Sequence, residues 1–218
     1  MSRIWLIVIT VVLTLSAVFG LGGFGVYAAT TNSELTNKDS GTSETEFGDF
    51  VADAIRAQVK AEIGFITASE LKEVTISKGD VSTSDVVAAL SYQNDPVVLL
   101  TLNGDQVRRA LERSVAIYPQ KNLGFLQVSG IRFTFDPGKP KESRVVSVTV
   151  GGKPLDPSAS YSVGVTSSLG NGALGYFRVW EKDQITSVTK TSLSQAVANF
   201  LQATQKLDYK RDRITVLK

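Results

Sequence analysis

Phe125-Leu126-Gln127-Val128-Ser129-Gly130-Ile131-Arg132-Phe133-Thr134-Phe135-Asp136-Pro137 leads to Arg144-Val145-Val146-Ser147-Val148-Thr149-Val150, then Gly151-Gly152, then Tyr161-Ser162-Val163-Gly164-Val165-Thr166. Ile131, Phe133 and Phe135 alternate with Arg132 and Thr134, and Val146, Val148 and Val150 alternate with Ser147 and Thr149. Successive strand side chains point to opposite faces, so each run presents one apolar face and one wet face. Asp136-Pro137-Gly138 and Gly151-Gly152 punctuate the runs as turns. The spacing predicts three strands of one sheet, half-buried and mostly antiparallel. The expected class is α+β, a mixed, largely antiparallel sheet with packed helices.

Outward from that sheet, Val97-Val98-Leu99-Leu100-Thr101-Leu102 is an unbroken apolar run and reads as a central strand. Asn103-Gly104 turns it into a helix whose buried face is Val107, Ala110, Leu111, Ser114 and Val115. Arg108, Arg109, Glu112 and Arg113 fall on the other face and read as a solvated surface. Ile63-Gly64-Phe65-Ile66-Thr67 reads as a short buried strand. Ser43-Glu44-Thr45-Glu46 has the form of a capping box. Phe47, Phe50, Val51, Ala54, Ile55 and Val59 then recur at helical spacing. Gly79 to Ser82 reads as a turn before a short helix. Phe177 to Trp180 reads as strand or sheet edge, Ser192 or Thr191 as the cap of a last helix, and Ile214 to Leu217 as a final strand.

Lys and Arg total 23 against 21 Asp and Glu in 218 residues. That balance gives no basic footprint for nucleic acid, and none is expected as a partner. The chain has no Cys, which excludes thiol catalysis and Cys-based zinc sites. It has no His, so a His general base, triad member or metal ligand is unavailable to it. An all-carboxylate cation site stays chemically open, but no acidic run resembles such a loop. No metal and no cofactor are expected.

Arg3 is the only charge before Glu34, and residues 4 to 26 are apolar but for a few Ser, Thr and Gly. Two readings of residues 1–28 stand. One is a secretory signal peptide with Val26-Tyr27-Ala28 as its small-x-small end. The other is an uncleaved anchor, since about 20 apolar residues span a bilayer. Either places the bulk of the chain outside the cytoplasm. Residues 29–42, rich in Thr, Asn, Ser and Gly, read as a flexible linker. Residues 43–218 read as one domain.

Phe125 to Phe133, with Gly152-Lys153-Pro154-Leu155-Asp156-Pro157 and Tyr161 behind it, resembles the C-terminal domain of the 5′-nucleotidase family. The resemblance runs back to Glu44-Thr45-Glu46-Phe47-Gly48-Asp49-Phe50-Val51-Ala52-Asp53-Ala54-Ile55-Arg56 and forward to Arg213-Ile214-Thr215. It implies a substrate-gripping domain, with metals and catalytic His on a separate N-terminal phosphoesterase domain. It also places the ligand contacts in three segments.

In the first, the family has Asn-x-Gly-Gly-Ile-Arg and this chain has Thr67-Ala68-Ser69-Glu70-Leu71-Lys72. Both glycines are replaced, Lys72 offers a point charge where Arg offers a fork, and Glu70 is expected to repel a phosphate. In the second, Pro-Phe-Gly-Asn becomes Ser91-Tyr92-Gln93-Asn94. Tyr92 keeps a face that can stack on a base for about 1–3 kcal/mol, and Asn94 keeps an amide. Both also suit an ordinary turn before Asp95-Pro96. In the third, Gly172, Gly175 and Tyr176 survive, while Ser168 stands at the second stacking aromatic and Leu174 at the family's Asp. The candidate substrate-binding set is Lys72, Tyr92, Asn94, Gly172, Gly175 and Tyr176, with no catalytic residue. The expected role is a binding or interaction module for a nucleotide-like small molecule or a cell-surface partner. The alternative is the recognition half of a split nucleotide hydrolase, completed by a separate metallophosphoesterase chain.

Overall fold

The computed structural model describes residues 27–218. Of the leader or anchor expected over residues 1–28, residues 1–26 lie outside them, while Tyr27 and Ala28 open the first strand. Among the described residues no helix is long and apolar enough to cross a membrane.

The elements run β1 (Tyr27–Thr31), β2 (Leu35–Thr36), α1 (Glu46–Val59), β3 (Ile63–Thr67), β4 (Thr75–Ile76), β5 (Gly79–Ser82), α2 (Thr83–Ala88), β6 (Pro96–Asn103) and α3 (Gly104–Val115). They continue with β7 (Leu126–Ser129), β8 (Ile131–Phe135), β9 (Val145–Val150), β10 (Lys153–Pro154), β11 (Ser160–Thr166), α4 (Ser167–Gly170), β12 (Ile185–Ser192), α5 (Leu193–Thr204), β13 (Lys206–Leu207) and β14 (Ile214–Val216). The α+β class with antiparallel-rich sheets is as expected.

A five-stranded sheet in the order β12-β6-β11-β3-β7 forms the middle of the molecule. Only its β11–β3 pair is parallel. Period-2 alternation feeds a core on each face. Ile63, Phe65, Val98, Leu100, Val163 and Val165 pack with α3, β8 and β9 on one side. Ile66 and Val97 pack with Phe47, Phe50 and Ile55 of α1 and Val197 and Leu201 of α5 on the other. Gly64 and Gly164 are register partners on the parallel pair. A Cβ on Gly64 would sit 2.4 Å from the Ala52 carbonyl oxygen, so the bare patch is what lets α1 lie directly on the sheet.

The Phe125–Thr166 stretch does not form one sheet. β7 and β11 belong to the five-stranded sheet, whereas β8 and β9 belong to a four-stranded one, β10-β9-β8-β14. The break falls at Gly130, with φ +72°, where a Cβ would sit 2.0 Å from the Glu62 carbonyl oxygen. Only a residue without a side chain turns the strand there. Alternation fixes which face of each strand is buried but carries no information about which sheet it joins.

The expected linker at 29–42 is part of the domain. β1 pairs with β5 and β13, and β2 with β4. Leu35 is fully buried. The Asn37 amide donates to the Lys72 carbonyl and its oxygen accepts from Val74 N. Gln127, buried on β7, donates to the Ser40 and Ser43 carbonyls and accepts from Thr45 N. These ties are backbone pairing and buried amides, which leave no apolar periodicity to read. The Gly79–Ser82 turn is likewise a strand.

The cap of α1 also falls two residues later than its motif. Thr45 is the N-cap and accepts from Gly48 N at 3.1 Å. Glu44 instead accepts the Asp212, Arg213 and Ile214 N–H groups, holding the chain into β14. Arg213 then forks onto Asp53 at 2.9 and 3.0 Å and donates to the Val128 carbonyl. The C-terminal strand, α1 and β7 are thus locked by one buried polar cluster. Asp49 lies in that cluster, fully buried, 3.5 Å from the Arg213 guanidinium.

Candidate functional site

Three segments meet at one edge of the five-stranded sheet. β3 and β11 run parallel and both end there, and β6, antiparallel to β11, begins there. The loops after β3 and β11 and the loop before β6 are therefore neighbours by topology, and these are the three segments that the resemblance singled out.

Glu70 ties two of them. Residues Ala68–Glu70 form one tight helical turn, and the Glu70 carboxylate accepts from Thr67 N (2.8 Å), Thr67 Oγ1 (2.6 Å) and Thr166 Oγ1 (2.5 Å). The side chain is 3% exposed. Burial pushes its pKa up, while the Thr166 and Thr67 hydrogen bonds pull it down. The expectation that Glu70 repels a phosphate is therefore corrected: the carboxylate points into the fold and latches the end of β3 to the end of β11. Glu70 is thus a structural clasp of this loop.

The loop before β6 is strapped from both sides. Ser91 N donates to the Glu70 carbonyl and Lys72 N to the Ala89 carbonyl, each at 2.8 Å. Leu193 N and Ser194 N at the start of α5 donate to the Asp95 and Gln93 carbonyls. Asp95 Oδ2 accepts from Ser168 N at 3.1 Å and so closes the gap to the third loop. On this fixed loop Tyr92 stands 57% exposed and Asn94 is exposed. Lys72 is exposed too, with its ammonium resting 3.1 Å from the Ala88 carbonyl. Lys72, Tyr92 and Asn94 thus share one edge, with Ser168 beside them. Asp95 and Thr166 organise this edge and were not singled out from the sequence. The only local signal was Thr166, which caps α4 by accepting from Leu169 N.

The other three expected residues have a different place. Tyr176 is fully buried, donates from its hydroxyl to the Gly124 carbonyl at 2.7 Å and stacks on Trp180 at 4.9 Å. Burial raises its pKa strongly. It is an anchor of the third loop, not an exposed ligand face. Gly172 (φ +87°) and Gly175 (φ +85°) supply the left-handed backbone that folds the loop over Tyr176. Phe177 to Trp180, expected as strand or sheet edge, is not a strand: Phe177 and Arg178 close this helical turn, and Phe177 emerges 62% exposed.

The edge therefore offers one ring face, one amide, one ammonium and several hydroxyls on a rigid frame. That set can stack on and hydrogen-bond a planar polar ligand. It contains no nucleophile paired with a base.

The model for a family described as 5′-nucleotidase, C-terminal domain, matches residues 25–181. An apyrase of Aedes albopictus is 29% identical over 153 residues, covering 66% of this chain and 27% of that protein. A 5′-nucleotidase of Vibrio cholerae is 26% identical over 168 residues, covering 77% of this chain and 29% of that one. A solved structure, the 5′-nucleotidase precursor of Thermus thermophilus, superposes with a TM-score of 0.78 at 26% identity, covering 88% of this chain and 39% of that one. The chain thus spans less than a third of the length of the apyrase and of the Vibrio cholerae enzyme.

Proposed function

The chain belongs to the 5′-nucleotidase C-terminal domain family, and on that premise we propose that it is an extracytoplasmic ligand-binding or interaction module, without catalysis of its own. The observation that carries this is the strapped edge on which Tyr92, Asn94 and Lys72 stand together. Its frame is held by Glu70 and Asp95 from within, so the display is preorganised and the ligand does not have to order it. The ligand class is a nucleotide-like small molecule: Tyr92 stacks on the base, Asn94 meets its polar rim, and Lys72 swings from the Ala88 carbonyl to an anionic group. With no His in the chain, a His-based hydrolytic centre would have to come from elsewhere. The basic, then apolar N-terminal 26 residues support export or anchoring.

A second reading has the same edge serving a separate metallophosphoesterase, this chain being the recognition half of a split hydrolase. The family membership favours it.

Melting of the full chain with AMP, adenosine and UDP-glucose tests the first reading. A shift of several degrees at millimolar ligand, absent in Tyr92→Ala, is expected. No shift with any of the three overturns nucleotide binding and leaves protein partners as the target. Phosphate release from AMP that appears only on mixing with a phosphoesterase chain supports the second reading. No release on mixing counts against it.

A further inference from the structure

The arginine face of α3, expected to be merely solvated, is built into a cleft. Arg109 and Arg113 of α3, Lys141 and Glu142 of the β8–β9 loop, and Phe177 and Arg178 of the turn after α4 surround a space of about 800 Å³. That is within the range of small-molecule sites, roughly 300–1,000 Å³. Gly175 of the third loop lines it, but Lys72, Tyr92, Asn94 and Ser168 do not.

Its arginines are positioned rather than free. Arg113 is half-buried and donates from Nε (3.1 Å) and Nη2 (2.5 Å) to the Leu174 carbonyl. Leu174 (φ +56°) and Gly175 (φ +85°) hold the left-handed backbone that presents this carbonyl. Arg109 donates to the Arg178 carbonyl. The Arg178 guanidinium lies 5.7 Å from the centroid of the exposed Phe177 ring. Among the described residues none of Arg109, Arg113, Lys141 and Arg178 is in an ion pair. Glu112 reaches the cleft wall, but its two oxygens are taken by Arg144 N and Val145 N. Four cations therefore face one solvated carboxylate, Glu142, beside an uncovered ring.

We infer that this cleft is a second binding site, for an organic phosphate that carries an aromatic ring. Guanidinium forks match phosphate oxygens in geometry and charge, and Phe177 offers the ring a stacking face. An inorganic ion would use the charge but not the ring. A long acidic peptide would have to leave a half-enclosed space.

Titration calorimetry of the full chain at low salt with 1-naphthyl phosphate, inorganic phosphate and 1-naphthol tests this. 1-Naphthyl phosphate is expected to bind at least tenfold more tightly than either fragment. Phe177→Ala and Arg178→Glu, both exposed and outside the core, are each expected to weaken it at least tenfold, and Lys153→Ala, exposed and lining neither site, to leave it unchanged. Equal affinity for inorganic phosphate reduces the site to counter-ion attraction and overturns the inference. So does binding lost in Tyr92→Ala but kept in Phe177→Ala and Arg178→Glu, or no heat at millimolar ligand.

Discussion

Asp49→Asn is predicted to stabilise the protein, and to do so more as the pH rises. Asp49 is fully buried and neither carboxyl oxygen accepts a hydrogen bond from an N–H or O–H in the cluster. Its neighbour Glu44 is already an acceptor for three backbone N–H groups. Two carboxylates in that position cannot both ionise cheaply, and the group with no donors is the one that keeps the proton. Burial pushes the Asp49 pKa from 3.8 up to about 10, against the pull of Arg213 and with Glu44 and Asp53 adding to the rise. The sign follows. Between pH 3.8 and 10 the native chain holds a proton that the unfolded chain releases, so this group's contribution falls as pH rises across that window.

The slope is about 1.4 kcal/mol per pH unit, or about 4 kcal/mol between pH 5 and pH 8. Against a domain stability of roughly 5–15 kcal/mol that is readily measured. Asn keeps the shape and can donate to Glu44 at every pH. Urea unfolding of wild type and Asp49→Asn at pH 5, 6, 7 and 8 isolates the term, because other groups cancel in the difference. The gap is expected to widen with pH in favour of Asp49→Asn. A gap that is flat with pH, or that widens in favour of wild type, would mean that Asp49 is ionised and paired with Arg213, and would refute the reasoning.

Glu70→Ala strands the Thr67 N–H and the Thr166 hydroxyl and is expected to cost about 2–3 kcal/mol in urea unfolding, whereas Glu70→Gln, which keeps an acceptor, costs clearly less. Gly130→Ala meets the Glu62 carbonyl at 2.0 Å with φ at +72°, so it is expected to abolish soluble folded protein or lower stability by about 3 kcal/mol or more, read by circular dichroism. Deleting the residues before Thr42 removes β1 and β2 and buried Leu35; the truncated chain is expected to melt lower and more broadly than the full chain. Tyr92→Ala, at an exposed site, is expected to change unfolding free energy by less than about 0.5 kcal/mol, which separates a ligand face from a packing role.

The parts of this fold that bury one face by regular period were legible in the sequence. α1, α3 and α5, the central strand β6 and the alternating β8 all declare themselves that way, whereas in β9 a register shift buries Val145 and exposes Val146, which alternation places with Val148 and Val150. What escaped is what long-range pairing decides. β1 and β2 are polar segments held by backbone hydrogen bonds and by Asn37 and Gln127. β12 (Ile185–Ser192) is an edge strand with no fully buried residue, so it shows no alternation. The split of β7 from β8 rests on one glycine. Sequence order and topology bring the loop after β3, the loop before β6 and the loop after β11 to one edge. The direction of two side chains was not legible: Glu70 turns inward to meet Thr166, and Tyr176 inward to meet Gly124. A Tyr or Glu in a loop reads the same whether it caps a ligand or clasps a frame.

The central claim is that the edge carrying Lys72, Tyr92 and Asn94 recognises a nucleotide. Hydrogen exchange of the full chain with and without saturating AMP tests it most directly. The account predicts slowed exchange at the amides of residues 69–72, 91–95 and 167–172. Unchanged exchange at all three segments, or protection confined to residues 109–117 and 175–179, would contradict it.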